Sequence, residues 1–197
     1  MTEMELREKI RRYEPFNEQE REDKKEILRQ MEQADHILTR DNRNAHITVS
    51  AWIMDRDRKK VLMAYHNLYQ SWAWLGGHAD GDADLKAVAL KEIREESGLE
   101  SVRFVTEDIF SLEILTVDGH EKRGSYVPSH LHLNVTYLLE ADEEDALRVK
   151  PDENSGVQWF SLEEALGACS EPWMAERIYR KLNEKLIRQW GRKEGRR

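Results

Sequence analysis

The residues whose types and spacing best fit chemistry are three glutamates that follow a glycine-rich loop. The loop contains Gly76 and Gly77, and the glutamates are Glu92, Glu95 and Glu96. A spacing of i, i+3 and i+4 places them on one side of a helix that turns about 100° per residue. Crowded carboxylates that are partly removed from water need a cation for compensation. Oxygen ligands suit Mg²⁺ or Mn²⁺ better than zinc, so the pattern predicts a divalent-metal site.

This segment resembles the Nudix box, whose pattern is G-x5-E-x7-R-E-U-x-E-E-x-G-U, with U a bulky apolar residue. Anchored at Gly77 and Gly98, the segment aligns with the pattern without a gap and ends at Leu99. The resemblance assigns the three glutamates to the metal-binding positions of the family. It also implies an α/β/α sandwich fold with a mixed sheet.

Two positions depart from the Nudix pattern. Ala83 stands where the first glutamate is expected, and Lys91 stands where the arginine is expected. Lysine keeps the positive charge but lacks the guanidinium fork that binds a carboxylate through two hydrogen bonds. Asp82 and Asp84 flank Ala83 and partly cover the missing carboxylate. The departures therefore affect the support of the site and leave the three metal-binding glutamates intact.

The resemblance implies hydrolysis of a nucleoside diphosphate linked to another moiety, with Mg²⁺ or Mn²⁺ as cofactor. Divalent ions lower the pKa of a bound water, and in-line attack by that water leaves little covalent work for side chains. Glu95 or Glu96 can also serve as the general base, although the family often places the base outside the box. The best outside candidate is Glu153, in a polar loop, where the alternative role is that of a turn residue.

Histidines are the next candidates for substrate binding. His130 and His132 share one face of a predicted strand, because side chains alternate along strands, and His78 follows the glycine pair. As cations they can bind substrate phosphate, or they can form a nitrogen-rich second metal site with His66 or Asp80 as a further ligand. The alternative is that the two strand histidines form the polar face of an amphipathic strand.

Three further residues are candidate substrate contacts: Gly77, Lys122 and Arg123. The two cations lie in a glycine-containing loop and can reach phosphates, although a basic loop tip is usually only solvated. Trp72 and Trp74 share a face of another predicted strand. Stacking on a base is open to them, but packing in the core or in a hairpin is the favoured interpretation.

Composition and charge narrow the class of protein. The chain has 197 residues and a net charge of −8, which argues against general affinity for nucleic acids or anionic membranes. Its one cysteine, Cys169, excludes an intramolecular disulfide and fits a reducing compartment. Residues 1–14 lack an apolar signal-peptide core, and no apolar run approaches membrane-spanning length. We therefore expect a soluble, cytoplasmic protein that acts on a small nucleotide-type substrate, with a solvated basic tail at 192–197.

Periodicity predicts an α/β layered fold with appendages. Residues 1–44 predict an N-terminal helical extension that packs on the main domain or on a second subunit, which is compatible with a homodimer. Residues 45–197 predict the hydrolase domain, with strands around the box helix and a C-terminal helix from about 172 to 189. The predicted strands lie at 46–53, 61–65, 71–75, 102–105, 109–117, 130–140 and 158–160.

Two other functions remain open from the sequence. One is a Nudix-like module that binds a nucleotide without turnover, which the departures at Ala83 and Lys91 motivate. No DNA-binding helix pair or basic stripe accompanies such a module here. The substrate also stays open, because nucleotide sugars, ADP-ribose, dinucleoside polyphosphates, coenzyme A and oxidised nucleoside triphosphates all fit the predicted chemistry.

The other alternative is an isomerase resembling isopentenyl-diphosphate isomerase, which shares the Nudix fold. His78, after the glycine pair, resembles the Cys-x-His region of that enzyme, and His130 and His132 would replace its acidic ligand pair. The necessary thiol is missing at this place, however, because Cys169 lies far along the chain.

Overall fold

The computed structural model describes residues 1–122 and 124–194. Arg123 and the end of the basic tail, residues 195–197, lie outside the described part of the chain. The helices are α1 (Glu3–Arg12), α2 (Glu18–Gln33), α3 (Leu85–Ser97), α4 (Leu162–Ala168) and α5 (Arg180–Glu194), the last preceded by a π-helical segment at Met174–Tyr179. The strands are β1 (Ala45–Asp55), β2 (Lys60–His66), β3 (Ser71–Ala73), β4 (Leu75–His78), β5 (Val102–Phe104), β6 (Ser111–Val117), β7 (His120–Lys122), β8 (Ser125–Val127), β9 (His130–Ala141) and β10 (Asn154–Ser161).

Local side-chain hydrogen bonds fix where three of the helices begin. Thr2 and Ser161 each form a reciprocal capping box with the glutamate three residues later, at the starts of α1 and α4. Asn17 accepts a hydrogen bond from a backbone N–H in the first turn of α2. Such caps satisfy N–H groups that have no partner within the helix. None of the described helices is both long enough and apolar enough to cross a bilayer.

The chain divides into two compact units. The first comprises residues 1–51, 76–92 and 106–138, and the second comprises residues 52–75, 93–105 and 139–197. Strands β1 and β9 and helix α3 contribute residues to both units. The elements that carry candidate site residues are therefore described unit by unit.

In the first unit, β9 is the central strand. It pairs antiparallel with β6, from Ser111 opposite Thr136 to Val117 opposite His130, and it neighbours β1, which in turn pairs with β4. Apolar side chains on one face of β1 and β9, such as Val49 and Leu133, are fully buried. Because side chains alternate along a strand, the polar residues between them form a row on the opposite face.

The N-terminal helices pack onto this unit through a buried carboxylate. Glu20 of α2 is fully buried, and it accepts hydrogen bonds from the Tyr13 hydroxyl, the Phe16 N–H and the Ser111 hydroxyl. Ser111 belongs to β6, and the Tyr13 hydroxyl also lies 3.2 Å from the carbonyl oxygen of Phe110. A buried carboxylate of this kind is tolerated only when its oxygens are hydrogen-bonded, so these contacts fix α1 and α2 against β6.

In the second unit, β2 pairs antiparallel with β10, β3 and the end of β1, and β5 pairs with the end of β9. Several aromatic side chains pack together in this unit. The fully buried Trp52 stacks on Tyr179 at a ring-centre distance of 5.2 Å, and Trp74 meets the same tyrosine edge-on at 5.6 Å. Trp72 packs edge-on against Phe160 at 4.9 Å. These contacts support the packing role for Trp72 and Trp74.

Candidate functional site

The glutamate cluster lies on the C-terminal part of α3. This helix carries Glu92, Glu95 and Glu96 at the spacing that the sequence predicts. The Glu92 side chain is 14% exposed, that of Glu95 is 39% exposed, and Glu96 is 8% exposed as a residue. The helix ends at Ser97, and the φ of +76° at the following Gly98 is a left-handed conformation that glycine adopts without strain. The three carboxylates therefore differ in burial, with Glu95 the most open to solvent.

Gly77 allows the Glu92 side chain to lie close to β4. A β-carbon at position 77 would lie 2.7 Å from the carboxyl carbon of Glu92 and 2.9 Å from its γ-carbon, which is too close for any side chain. Lys91 Nζ lies 3.6 Å from a Glu92 oxygen, so the lysine that departs from the expected arginine still pairs with a neighbouring carboxylate. Glycine at position 77 therefore leaves the space that the Glu92 side chain occupies.

The aspartates around Ala83 serve the start of the helix. Asp84 Oδ1 accepts a hydrogen bond from the N–H of Ala87, at the position of a helix N-cap, and Asp82 Oδ1 accepts one from the N–H of Asp84 at 2.7 Å. Ala83 itself is only 6% exposed. The flanking carboxylates are thus engaged in shaping the turn and in capping α3.

Lys150 connects two of the candidate catalytic carboxylates. Its Nζ lies 3.1 Å from Glu95 Oε2 and 3.0 Å from Glu153 Oε2. The pKa of Lys150 lies above its usual value, because the two hydrogen-bonded carboxylates outweigh the opposing effect of burial. The structure therefore brings Glu153 and Glu95 to the same cation. The sequence pattern does not single out Lys150, whose only local signal is its position three residues before Glu153.

Asn154 fixes the loop that carries Glu153. Its side-chain amide donates to the backbone carbonyl of Glu96 at 2.9 Å, and its carbonyl oxygen accepts from the N–H of Lys150. Asn154 is 2% exposed, and the Glu153 carbonyl accepts from the N–H of Asn67. A buried amide that is hydrogen-bonded through both its nitrogen and its oxygen holds the loop against the end of α3.

Four histidines gather in the first unit. The ring centre of His46, on β1, lies 4.9 to 5.1 Å from those of His78, His130 and His132. The ring centre of His132 lies 4.9 Å from that of His78 and 5.1 Å from that of His130. The sequence pattern does not single out His46, because it lies on a different strand, and pairing of the strands is what brings it here. Asp80, one of the candidate further ligands, forms a two-bond ion pair with Arg40.

The polar rows of β1 and β9 continue from these histidines into a buried hydrogen-bond network. Asn134 Oδ1 accepts from the hydroxyls of Thr48 and Ser50, and its amide donates to Glu113 Oε2 at 3.1 Å. Asn134 is 1% exposed and Glu113 is fully buried. His130 and His132 therefore lie on the polar face of β9, which farther along the strand is buried and hydrogen-bonded.

The remaining candidates are Lys122, Arg123 and His66. The backbone of Lys122 ends β7, which pairs with β8 in a short hairpin, and Arg123 lies outside the described residues. His66, the other candidate further ligand, packs its ring against Tyr69 in the second unit. Cys169 is buried at the end of α4, where its thiol contacts the Ser71 hydroxyl and the Glu171 carbonyl. The thiol is therefore occupied by contacts that do not involve the glycine pair.

Comparison with known proteins connects this geometry to a family. The model of a family described as the NUDIX domain matches residues 44–185, which is most of the chain. Comparison with curated proteins gives no match.

Solved structures share the fold at low sequence identity. An Ap4A hydrolase from C. elegans, in a binary complex, is 21% identical, with a TM-score of 0.53 over 72% of this chain and 97% of its own. A hydrolase of the NUDIX family from Clostridium perfringens is 23% identical, with a TM-score of 0.51 over 73% and 97%. The dihydroneopterin triphosphate pyrophosphohydrolase of E. coli is 14% identical, with a TM-score of 0.51 over 68% and 92%. These likenesses show a shared mixed α/β fold, and the family match begins after helices α1 and α2.

Proposed function

The chain belongs to the Nudix family, and we propose that it is a metal-dependent hydrolase that cleaves the pyrophosphate linkage of a nucleoside diphosphate joined to another moiety. Water attacks at phosphorus in this reaction. The observation that carries the proposal is the set of carboxylates on α3, in register with Gly77 and Gly98.

The donor set fits a hard divalent cation. Glu92, Glu95 and Glu96 would hold Mg²⁺ or Mn²⁺, because all three offer carboxylate oxygens. Two further observations support the fit. Glu95 already shares a cation, the Lys150 ammonium, with Glu153. The space left free by Gly77 admits the Glu92 carboxylate. When bound, the ion would neutralise the pyrophosphate and lower the pKa of a bound water.

The side chains have separate tasks in this proposal. Glu153 is the proposed general base, and Glu95 or Glu96 is the alternative. Glu153 is preferred because Lys150 contacts both its carboxylate and that of Glu95, a proposed metal ligand. Asn154 holds the loop of Glu153 to the end of α3 and so fixes the distance between base and metal ligands. The phosphoryl chemistry then requires positioning and charge stabilisation rather than a covalent intermediate.

The proposed substrate contacts are the Gly77 backbone, His78, His130 and His132, with Lys122 at the end of β7 and Arg123 as the next residue in the sequence. His130 and His132 are half-buried on β9 in the polar row that includes Asn134. Imidazole N–H groups can donate to phosphate oxygens. The identity of the group beyond the diphosphate needs an experiment, because relatives with this fold include an Ap4A hydrolase and a dihydroneopterin triphosphate pyrophosphohydrolase.

The test is hydrolysis of a broad substrate panel with Mg²⁺ and with Mn²⁺. The panel includes Ap4A, dihydroneopterin triphosphate, ADP-ribose, nucleotide sugars, coenzyme A and oxidised nucleoside triphosphates. We expect turnover of one compound class, and we expect Glu95→Gln to reduce it by more than about 100-fold, beyond the typical effect of losing a residue that only orients a metal ligand. Glu100→Gln is the matched control, because Glu100 pairs with Arg94 at an exposed site just beyond α3.

Two outcomes would contradict the proposal. One is turnover by Glu95→Gln and Glu96→Gln at the wild-type rate, which would exclude the carboxylate mechanism. The other is tight nucleotide binding without turnover under either metal, which would favour a binding module.

A further inference from the structure

Three histidines of the first unit have the arrangement of a transition-metal site. We propose that His46, His130 and His132 bind a Zn²⁺ ion, or a similar ion that prefers imidazole ligands, with a donor set different from the carboxylates of α3. The proposal concerns binding of the ion and does not depend on the proposed hydrolysis. For His130 and His132, the role of metal ligand would replace the direct N–H contact with phosphate proposed above.

The distances are close to those of a coordination shell. The ligand nitrogens of the three residues all lie within 4.8 Å of one another, and His130 Nε2 lies 3.2 Å from His132 Nε2. Two nitrogens bound tetrahedrally to zinc, each at 2.0–2.1 Å, are separated by about 3.3 Å. One edge of the tetrahedron is thus already formed. The longer separations close by small rotations about χ2, which is a soft torsion for histidine.

Backbone carbonyls orient two of the rings. His46 Nδ1 lies 3.0 Å from the carbonyl oxygen of Asn42, and His130 Nδ1 lies 2.9 Å from that of Pro128. A carbonyl oxygen can only accept, so each Nδ1 carries a proton and each Nε2 of the neutral ring has a lone pair. Hydrogen bonds of this kind are the usual support of metal-binding histidines, because they fix the tautomer and the ring plane.

The unpartnered nitrogen of His46 is the second, independent observation. His46 is 4% exposed, and its Nε2 is buried with no hydrogen-bond partner. A buried nitrogen without a hydrogen bond destabilises the fold, so native structures rarely contain one without a reason. A hydrogen bond between His130 and His132 would explain their short separation, but it would leave His46 Nε2 unpaired. A metal ion bound by all three explains both features.

The neighbouring residues shape the fourth position. The His78 ring lies 4.9 Å from that of His132 and 5.1 Å from that of His46, so it borders the three ligands. Asp80 is held by Arg40. A water, or His78 after a side-chain rotation, completes four-coordination, which is the normal number for zinc.

The test is Zn²⁺ binding by the full chain, measured by titration calorimetry and by metal content after dialysis. A large excess of Mg²⁺ is present throughout, so that oxygen ligands on α3 are occupied. We expect one tightly bound Zn²⁺ per chain, nitrogen neighbours by X-ray absorption, and visible d–d bands when Co²⁺ replaces Zn²⁺.

The variants are chosen to remove a ligand and to keep the fold. In His46→Asn and His130→Asn, the shorter amide can keep the hydrogen bond to the backbone carbonyl while Nε2 is lost. Each should weaken Zn²⁺ binding at least 100-fold and abolish the Co²⁺ bands. His36→Asn is the matched control, because His36 is exposed and asparagine tolerates its φ of +57°.

The proposal is overturned if the wild-type chain binds no Zn²⁺ in excess Mg²⁺, or if both asparagine variants bind it as tightly as the wild type. Circular dichroism checks that each variant is folded. If one of them is not, His132→Gln takes its place with the same expected loss.

Discussion

The ammonium of Lys150 lies 3.1 Å from the Glu95 carboxylate, so a metal ligand of the proposed site is paired with a side-chain cation. A divalent ion on Glu95 must compete with this pair. We therefore expect Lys150→Met to bind Mg²⁺ about two- to fivefold more tightly, because a partly exposed ion pair contributes about 0.4–1 kcal/mol.

Titration of Mg²⁺ binding without substrate measures this effect. Lys60→Met is the control, since it removes an ion pair with Glu143, which is not a proposed metal ligand. Unchanged or weaker Mg²⁺ binding by Lys150→Met would show that the lysine does not compete with the ion.

The two glycines before the box helix should respond differently to alanine. A β-carbon at Gly76 would lie 2.2 Å from the backbone oxygen of Val49 and 2.8 Å from the α-carbon of Ser50, and backbone cannot move easily. Gly76→Ala should therefore lower the free energy of unfolding by about 1–3 kcal/mol or more. Chemical denaturation measures this loss.

The three atoms nearest to a β-carbon at Gly77 all belong to the flexible side chain of Glu92. Gly77→Ala should therefore leave the free energy of unfolding nearly unchanged and reduce kcat about 10- to 100-fold, because it displaces a proposed metal ligand. Wild-type kcat in a folded Gly77→Ala variant would contradict the role of Glu92.

Tyr13 and Glu20 form the principal polar contact of the N-terminal helices. Burial, followed by the charge of Glu20, raises the pKa of the Tyr13 hydroxyl well above its usual value, so the phenol remains a donor at all ordinary pH values. Tyr13→Phe removes one of the hydrogen bonds to a fully buried carboxylate. We expect a loss of about 1.5–3 kcal/mol in unfolding free energy. Tyr126→Phe, at an exposed tyrosine, should have an effect near zero, and equal effects would contradict this prediction.

The thiol of Cys169 should react slowly with alkylating reagents. Burial raises its pKa, which leaves less thiolate at pH 8 than in an exposed cysteine. Iodoacetamide should alkylate the native chain at least about 100-fold more slowly than the chain unfolded in guanidinium chloride. Equal rates in the two states would show that the thiol is accessible.

The raised pKa of Cys169 also makes the free energy of unfolding depend on pH. An unfolded thiol loses its proton at lower pH than the folded one does, so the unfolded state is favoured as the pH rises above the usual thiol pKa of about 8.5. The stabilising contribution is complete below that pH and is lost as the pH rises through the folded-state pKa. Cys169→Ser should remove this part of the alkaline pH dependence, and an identical pH profile would contradict it.

The sequence predicted the elements whose signals are local. The box helix and the strand over residues 130–140 both depend on contacts within a few residues, and the structure contains them. The α/β Nudix fold is confirmed as well, because glycine and glutamate spacing in the box identifies it. The roles of the box residues in metal binding and catalysis stay predictions.

Features that depend on pairing between distant segments were missed. His46 joins the other histidines only because β1 lies beside β9, and Asn134 is bonded across the same pair of strands. Lys150 reaches Glu95 from a loop 55 residues away in the chain. The predicted strand over residues 71–75 is two strands, β3 and β4, and the C-terminal helix has a π-helical first part and reaches Glu194. One-dimensional periodicity contains no information on such pairings.

The buried carboxylate of Glu20 has a practical consequence for shortening this chain. The family match begins at residue 44, so a chain shortened to begin there keeps every residue that the family model matches. Such a truncation deletes Glu20 and Tyr13 and leaves the Ser111 hydroxyl and the surface of β6 without their covering helices. Newly uncovered apolar and polar surface on a sheet invites self-association. The shortened protein should precipitate or form aggregates in gel filtration where the full chain does not.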